Sequence, residues 1–266
     1  MNNPYVSVVI PFKGECNLVL DCIYSILNSY ISGFSFFITC YDDGSTEEEL
    51  NYLYTSIRNN FSQDILIVKN NNVEYTQAVY NVTDAMKNMY KQCDYMLLLN
   101  SDVKLHRAAF YRMVTRMKSN PNIAVVGAKI VKMGTNEIQH TGTRLENGKI
   151  VDPYCGLDVN DPVTNQVERR LWVNGCGALY NLRILRKENL NFNLEFKPAY
   201  FEEADLMTEL NVRGYSVLYE PGAIIEHKLN ATMNKDRDRY EKAFWANWKK
   251  YKNKWDPYFG KKQLAF

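Results

Sequence analysis

The first hundred residues alternate between short apolar runs and segments with helical spacing. Tyr5–Pro11 is a β-branched run that ends in proline, and Phe34–Tyr41 and Ile65–Val68 are further strand candidates. Tyr95–Leu99 is typical of a central strand. Strands that alternate with helices form a mostly parallel sheet through right-handed crossovers. The chain is therefore predicted to be an α/β protein with a mostly parallel, Rossmann-like central sheet flanked by helices.

The intervening helices carry their own start signals. Leu18–Leu27 and Thr76–Lys91 have apolar residues at helical spacing. Thr46 is the predicted N-cap of another helix, with Glu47–Glu49 in its first turn, where acids stabilise the helix dipole.

The second half of the chain adds fewer regular elements. Ala124–Val131 is a strand candidate, and Lys132–Arg170 is a polar, turn-rich excursion within the domain. Leu171–Tyr180 returns to the core. Glu202–Arg213 is predicted as a helix stopped by glycine, and Tyr215–Tyr219 as the next strand.

Charge divides the chain into two predicted parts. Residues 228–266 hold eleven Lys/Arg and four Asp/Glu, a local balance of +7, so the remainder carries about −5 of the total of +2. We expect a domain over 1–227 and a basic, aromatic, helical segment over 228–266 that packs on the domain or extends it.

Five aromatic residues of the C-terminal segment recur at spacings of four, four, three and four, which is one face of a helix: Tyr240, Phe244, Trp248, Tyr251 and Trp255. A helix packed on the domain explains this face. The alternatives are a surface that meets a membrane or an acceptor, or one that binds nucleic acid by stacking and phosphate contacts.

Cysteine usage and apolar run length bear on location. The six cysteines include no CxxC pair, which argues against a zinc cluster, and a disulfide framework is not expected in a chain this long. No signal peptide and no bilayer-length apolar run are evident. We expect buried thiols in a cytoplasmic protein, with peripheral contact at the inner membrane face as an extension.

Two polar motifs follow predicted strands, Asp42-Asp43-Gly44-Ser45 and Asn100-Ser101-Asp102. Parallel sheets bind ligands beyond the carboxyl ends of their strands, where both motifs fall. Asp102, with a polar partner two residues earlier, suits Mg²⁺ or Mn²⁺ holding a diphosphate. The alternatives are an ordinary turn at the first motif and a cap at the second, for a helix that starts near His106.

Acids and a lone imidazole mark the stretch from Phe201 to His227. Glu202, Glu203 and Asp205 occupy a predicted first helical turn, where one or two acids are explained by the helix dipole. A carboxylate at that sheet edge is also able to take a proton from a hydroxyl. His227 follows a strand and suits either a structural role or metal binding through one ring nitrogen.

The motifs VSVVIPFKG, DDGS, LLLNSD, WVNGCGAL, FEEADL and RGYSVLYEPGAIIEH occur in this order. The chain thereby resembles the family-2 inverting, nucleotide-sugar-dependent glycosyltransferases with a GT-A fold. It is closest in pattern to bacterial rhamnosyl- and galactofuranosyl-type members. The resemblance covers about Val6 to His227.

The resemblance implies a role for each matching position. The implied nucleotide-sugar-binding residues are Pro11, Phe12, Asp42, Asp43, Asn100, Ser101 and Gly175, with Gly177 in the same small-residue loop. The implied ligands of Mn²⁺ or Mg²⁺ are Asp102 and His227. Glu203 matches the catalytic base, with Asp205 as a competitor. Two departures are Asn100, where the strict motif has Asp, and Glu203, where relatives usually have Asp.

The resemblance also implies partners. The donor is a nucleotide-diphosphate sugar, and the acceptor is a glycan or lipid-linked glycan in surface polysaccharide synthesis. Competing hypotheses are transfer to protein or to modified DNA, a nucleic acid acceptor being the less favoured, and a nucleotide-sugar-binding module without catalysis. The segment Asn72–Asn81 lacks the Gly and Arg common in the family. A nucleotidyltransferase is disfavoured because no Gly-rich, basic loop follows the first strand.

Overall fold

The computed structural model of the chain describes residues 3–228 and 237–259. The strands are Tyr5–Phe12 (β1), Ser35–Asp43 (β2), Ile65–Asn70 (β3), Tyr95–Leu99 (β4), Val103–Leu105 (β5), Ile123–Lys132 (β6), Ile138–His140 (β7), Arg144–Glu146 (β8), Lys149–Val151 (β9), Glu168–Arg169 (β10), Gly177–Asn181 (β11) and Ser216–His227 (β12). The helices are Cys16–Leu27 (α1), Glu47–Asn60 (α2), Tyr75–Asn88 (α3), Ala109–Lys118 (α4), Leu182–Lys187 (α5), Glu202–Val212 (α6) and Arg237–Trp255 (α7).

One twisted sheet organises the molecule, in the order β10-β12-β6-β11-β4-β1-β2-β3. β1, β2, β3 and β4 are mutually parallel, β11 runs antiparallel to both β4 and β6, and β12 is parallel to β6. The α/β prediction with a mostly parallel sheet is confirmed. Two apolar clusters, one built around α1, α2 and α4 and the other around α3, α5 and α6, pack against the sheet.

Local signals in the first half of the chain match the structure closely. Thr46 forms the predicted cap, because its side chain accepts the N–H of Glu49 at 3.2 Å while the Glu49 carboxylate accepts the N–H of Thr46 at 2.8 Å. This reciprocal pair is a capping box, which satisfies two backbone donors at the helix start. The capping box holds the turn after β2 in place.

A helix does begin near His106, but the alternative in which Asn100 and Asp102 cap it is wrong. Residues Val103–Leu105 instead form β5, which pairs antiparallel with the end of β12, and α4 begins only at Ala109. Asn100 and Asp102 therefore do not cap a helix. The strand predicted over Tyr215–Tyr219 is likewise longer than expected, since β12 continues through an irregularity after Glu220 and ends at His227.

The polar excursion between β6 and β11 is held by a buried lysine. Lys129 lies in the interior and donates hydrogen bonds to Val159 O and Thr164 Oγ1 at 2.8 Å and to Asn165 Oδ1 at 3.0 Å. A buried ammonium is tolerated only when its donors are satisfied in this way. The excursion carries β7 and the β8–β9 hairpin, and is fixed against the body of the protein.

Helix α7 packs across the start of α6. Asn247 is buried and donates to Phe196 O at 2.6 Å and Ala199 O at 2.9 Å. Tyr251 is also buried, 2.6 Å from Thr208 through its hydroxyl. The predicted aromatic face thus lies toward the protein. Residues 229–236 and 260–266 of the predicted C-terminal segment lie outside the described residues.

Candidate functional site

Asp102 and His227 lie side by side at the carboxyl edge of the sheet. The Asp102 Oδ1 and His227 Nε2 atoms are 3.3 Å apart, and both side chains are about nine-tenths buried. β-Pairing places them there, because His227 is opposite Val103 and the N–H of Lys228 donates to Asp102 O at 3.0 Å. The two predicted metal ligands, 125 positions apart in sequence, are therefore neighbours.

The orientation of His227 leaves one ring nitrogen for a cation. Its Nδ1 lies 3.0 Å from Gln139 Oε1, an amide oxygen that only accepts hydrogen bonds, so Nδ1 carries a proton. In a neutral ring Nε2 then presents a lone pair toward the Asp102 carboxylate. A proton on Nε2 or a bound cation between the two atoms would each satisfy this contact, and a partner that fixes the imidazole tautomer is typical of metal-binding histidines.

Several buried oxygens at this edge have no hydrogen-bond partner among the described residues, including Asp42 Oδ2, Asn100 Oδ1 and Glu203 Oε2. Leaving such a group unsatisfied costs about 1–3 kcal/mol. All three belong to the candidate site residues named by the sequence. Their free acceptor positions indicate that the site is completed by ligand donors or by a cation.

The two acids after β2 have different surroundings. Asp42 is fully buried, and its Oδ1 accepts from the N–H of Ser45 at 2.9 Å and from its hydroxyl. Asp43 Oδ1 accepts the N–H of Val73 at 2.6 Å, and burial raises the pKa of this carboxyl although that hydrogen bond opposes the shift. Asp43 thus fixes the loop before α3, whereas Asp42 keeps one oxygen free.

Strand β1 ends beside these acids. Pro11 pairs in register with Tyr41 and Phe12 with Asp42, and both β1 residues are buried. Ser101 lies in the turn between β4 and β5 and is half-buried. All of the predicted nucleotide-sugar-binding residues except Gly175 therefore lie at or next to the carboxyl ends of β1, β2 and β4.

The glycine loop before β11 joins this edge to the acids of α6. A Cβ on Gly175 would lie 3.6 Å from Glu203 Cγ, and one on Gly177 would lie 2.8 Å from Ile225 Cδ1. Between them, Cys176 O accepts the N–H of Asn100 at 3.4 Å. A side chain at Gly177 would clash with Ile225, whereas one at Gly175 would only come into contact with Glu203.

Glu202 and Glu203 are adjacent carboxyls with different protonation. Glu202 is 2% exposed and accepts from Thr76 Oγ1 at 3.2 Å. Burial raises the pKa of Glu202 strongly, and the charge of Glu203 raises it further. Burial also raises the pKa of Glu203, but backbone hydrogen bonds, the hydrogen bond with Glu202 and the imidazole of His140 lower it again. Glu202 therefore retains its proton more tightly, and Glu203 ionises first.

Asp205 faces away from this pair. Its Oδ1 accepts from Trp255 Nε1 at 2.8 Å, and its Oδ2 accepts from Lys254 Nζ at 2.9 Å and from Asn193 Nδ2 at 3.3 Å. Both oxygens are occupied in fixing α7 to α6. Glu203 and Asp205, the two candidate bases that the sequence did not distinguish, therefore have different environments in the structure.

Glu203 lines a cavity of about 590 Å³ whose other lining residues come from the excursion, the glycine loop, the start of α6 and α7: His140, Thr143, Ile150, Asp152, Trp172, Asn174, Tyr200, Phe201, Ala204, Phe244, Trp245 and Trp248. Sequence reasoning missed the contribution of the excursion. One signal in the sequence could have indicated this contribution. Histidine is rare in the chain, and His140 is one of three histidines, another being His227.

The donor set fits a divalent cation that brings ligands of its own. Within 3–228 and 237–259 no group of three or more His, Cys, Asp or Glu side chains is arranged to hold a metal. Asp102 and His227 would supply two ligands, and the unpartnered Asn100 Oδ1 lies two residues from Asp102. Diphosphate oxygens and water commonly complete such incomplete sites.

The six cysteines are free thiols, and all but Cys155 are buried. In the described part of the chain, no helix combines the length and apolarity that a bilayer crossing requires.

The sequence profile of Glycosyl transferase family 2 matches residues 7–171, well over half of the chain. The chain belongs to this family. No curated protein sequence matches it significantly.

Solved structures show the same fold at low sequence identity. The chain is similar to GalNAc-T7 with UDP, GalNAc and Mn²⁺, with TM-score 0.67, 14% identity, and coverage of 87% of this chain and 45% of that one. It is similar to the mannosyltransferase PcManGT from Pyrobaculum calidifontis in complex with GDP-Man and Mn²⁺, with TM-score 0.63, 13% identity, and coverage of 86% and 58%.

A third similar structure is S. aureus TarS 1-349, with TM-score 0.56, 12% identity, and coverage of 84% and 60%. The chain spans 45% to 60% of the length of these three structures. The predicted GT-A fold class is confirmed.

Replacing Asp205 by Asn tests the anchoring contacts of α7. We expect Asp205→Asn to lower the free energy of unfolding by about 1–3 kcal/mol, because the buried carboxylate that accepts hydrogen bonds from Trp255 and from the half-exposed Lys254 is lost. Urea unfolding followed by tryptophan fluorescence measures the change. Folded Asp205→Asn should still turn over, whereas loss of turnover without loss of stability would contradict a purely structural role.

Proposed function

We propose that the chain is a metal-dependent, inverting glycosyltransferase that moves a sugar from a nucleotide-diphosphate sugar to an acceptor hydroxyl. The observation that carries the proposal is the free Oε2 atom of Glu203. Glu203 and Glu202 form a buried carboxyl pair whose shared hydrogen bond lowers the pKa of Glu203. Glu203 also lines the cavity, and the glycine loop beside it contacts Asn100 through Cys176 O.

The donor would bind along the carboxyl ends of β1, β2 and β4. Asp42 Oδ2 offers an acceptor for a base N–H or a ribose hydroxyl, and Pro11 and Phe12 would border the nucleotide. Asp43 would act indirectly, by fixing the loop at Val73. Gly175 would leave room for the sugar beside Glu203. Two of the similar structures, which were solved with UDP and with GDP-Man, support this class of donor.

Asp102 and His227 would hold the cation, with Asn100 and Ser101 near the diphosphate. The imidazole ligand favours Mn²⁺ over Mg²⁺, since Mg²⁺ prefers oxygen ligands throughout. When bound, the cation supplies positive charge that stabilises the departing diphosphate.

Glu203 would act as general base. Glu203 Oε2 takes the proton of the acceptor hydroxyl while the hydroxyl oxygen of the acceptor forms a bond to the anomeric carbon. The bond from the anomeric carbon to the diphosphate breaks on the opposite face, and the nucleotide diphosphate leaves with the bonding electrons. A single displacement needs one base and inverts the configuration. Protonated Glu202 supports the adjacent carboxylate by hydrogen bonding.

The biological setting follows from the resemblance. We propose a cytoplasmic enzyme of surface polysaccharide synthesis, of the rhamnosyl or galactofuranosyl type, that meets lipid-linked acceptors peripherally at the inner membrane face. Acceptors on protein or modified DNA are the alternatives. An inactive binding module is disfavoured because Glu203 lines the cavity and its buried Oε2 has no hydrogen-bond partner among the described residues.

Glu203→Gln tests the base. We expect it to lower kcat by at least 10²-fold, the lower range of a general-base contribution, while nucleotide binding with Mn²⁺ is retained. A donor screen that scores release of nucleotide diphosphate identifies the substrate, and single-turnover transfer measures the effect. Because burial raises the pKa of Glu203, the neutral amide should not destabilise the fold at pH 7. Turnover near the wild-type rate would eliminate Glu203 as the base.

Asp102→Asn tests the cation site. We expect Mn²⁺ affinity in the presence of nucleotide diphosphate to fall by at least tenfold, because a charged ligand becomes neutral. Free Mn²⁺ measured by electron paramagnetic resonance reports the affinity. Gln139→Ala is a milder companion, predicted to weaken Mn²⁺ binding through loss of the His227 tautomer contact. Unchanged Mn²⁺ binding in Asp102→Asn would place the cation elsewhere.

The pH profile tests the protonation of Glu203. Since burial raises its pKa above the ordinary value of 4.5, kcat/KM should fall on acidification along a limb centred above pH 4.5. His140→Ala removes a group that lowers this pKa, so the limb should move to higher pH. The other titratable neighbours of Glu203 are Glu202, Tyr75, Cys176, Tyr180 and Tyr200. A limb that stays in place, or moves to lower pH, in His140→Ala would contradict this electrostatic contact.

A further inference from the structure

The cavity at Glu203 has an aromatic wall that transfer chemistry does not require. Phe201 packs against Phe244 and Trp248 with ring centroids 5.1 and 5.4 Å apart, and Trp245 meets Phe244 edge-on at 5.4 Å. Tyr200 adds a further contact with Phe244 at 5.5 Å. The turn before α6 and the first half of α7 together form this wall.

Part of the wall is exposed. Trp245 is 60% and Phe244 37% exposed, although the same helix buries Asn247, Tyr251 and Trp255. The hydrogen bonds that hold α7 in place come from other residues of the helix, namely Asn247, Tyr251, Lys254 and Trp255. Exposed aromatic surface beside a cavity with convergent polar groups is the usual composition of a ligand site.

The opposite side of the cavity is polar and comes from the excursion. His140 Nδ1 accepts the N–H of Gly142 at 2.9 Å, so the ring proton lies on Nε2, 3.6 Å from Asp152 Oδ1. Thr143 also donates to Asp152. With Asn174, these groups offer donors and acceptors that match hydroxyl groups, and Glu203 lies in the same cavity.

The charges of the lining select against anions. The lining includes the acids Glu203 and Asp152 and, within the part of the chain described, neither lysine nor arginine. A nucleic acid needs cationic partners for its phosphates. A neutral pyranoside has instead one face of C–H groups, which suits the negative face of an aromatic ring, and a rim of hydroxyls.

We propose that this cavity is the acceptor subsite and takes a neutral pyranoside. The sugar stacks on the wall at Trp245 and Phe244 and directs one hydroxyl to Glu203 Oε2, while His140 and Asp152 bind its other hydroxyls. The volume of about 590 Å³ lies in the range of ligand cavities. The inference rests on the proposed function, and makes α7 part of the substrate site.

Sugar binding tests the subsite without the donor. A panel of methyl pyranosides and short oligosaccharides is screened by saturation-transfer difference NMR. We expect at least one to bind, and Trp245→Ala to weaken its affinity at least tenfold, with Trp245→Phe closer to wild type. The matched control is Tyr24→Ala, which removes an aromatic ring that is 63% exposed on α1, outside the cavity. It should bind the sugar as wild type does.

Kinetics provide the second arm. With the best acceptor, Trp245→Ala should raise the acceptor KM at least tenfold and leave the donor KM within twofold. Equal sugar affinity in Trp245→Ala and wild type overturns the inference, as does Trp245-dependent binding of a single-stranded oligonucleotide or of anionic vesicles in place of sugars. Absence of donor turnover in wild type would instead refute the proposed function, and the NMR result would still decide the sugar subsite.

Discussion

The short antiparallel pairing of β5 with the end of β12 is the contact on which the site depends. It continues the sheet beyond the carboxyl end of β4, so that Asp102 and His227 are brought within 3.3 Å of each other. Without it, the polar turn after β4 would lead directly to α4, and the imidazole would end a strand with no acid beside it. The irregularity after Glu220 lets β12 reach this edge while its earlier part stays in register with β6.

Three acids in one helical turn have three environments. Glu202 is buried against Thr76, Glu203 lines the cavity and has a buried oxygen without a hydrogen-bond partner among the described residues, and Asp205 is bound by α7. The helix period separates Glu203 from the other two, because residues one or two positions apart point to different sides of a helix. A turn of acids that looks like a simple dipole effect therefore combines packing and the proposed chemistry.

The sequence was sufficient for the fold class and for the edge of the sheet where polar residues gather. Alternating strand and helix patterns and the Thr46 capping box are local signals, and local signals survive in the folded protein. It was insufficient where long-range pairing overrides local preference, as at β5, which sequence interpreted as a turn leading into a helix. The choice between Glu203 and Asp205 also depended on a partner about fifty positions later, Trp255, which no local pattern reveals.

The contact between Asp205 and Trp255 has a further consequence for how such a protein diversifies. It attaches the aromatic wall to α6 through residues that are separate from the donor edge at Asp42 and Asp102. On the proposed roles, the exposed positions of α7 are free to vary under selection while the donor edge and the base stay constant. Substitutions along α7 alone then change which acceptor is bound, and new linkages arise while the catalytic sheet stays the same.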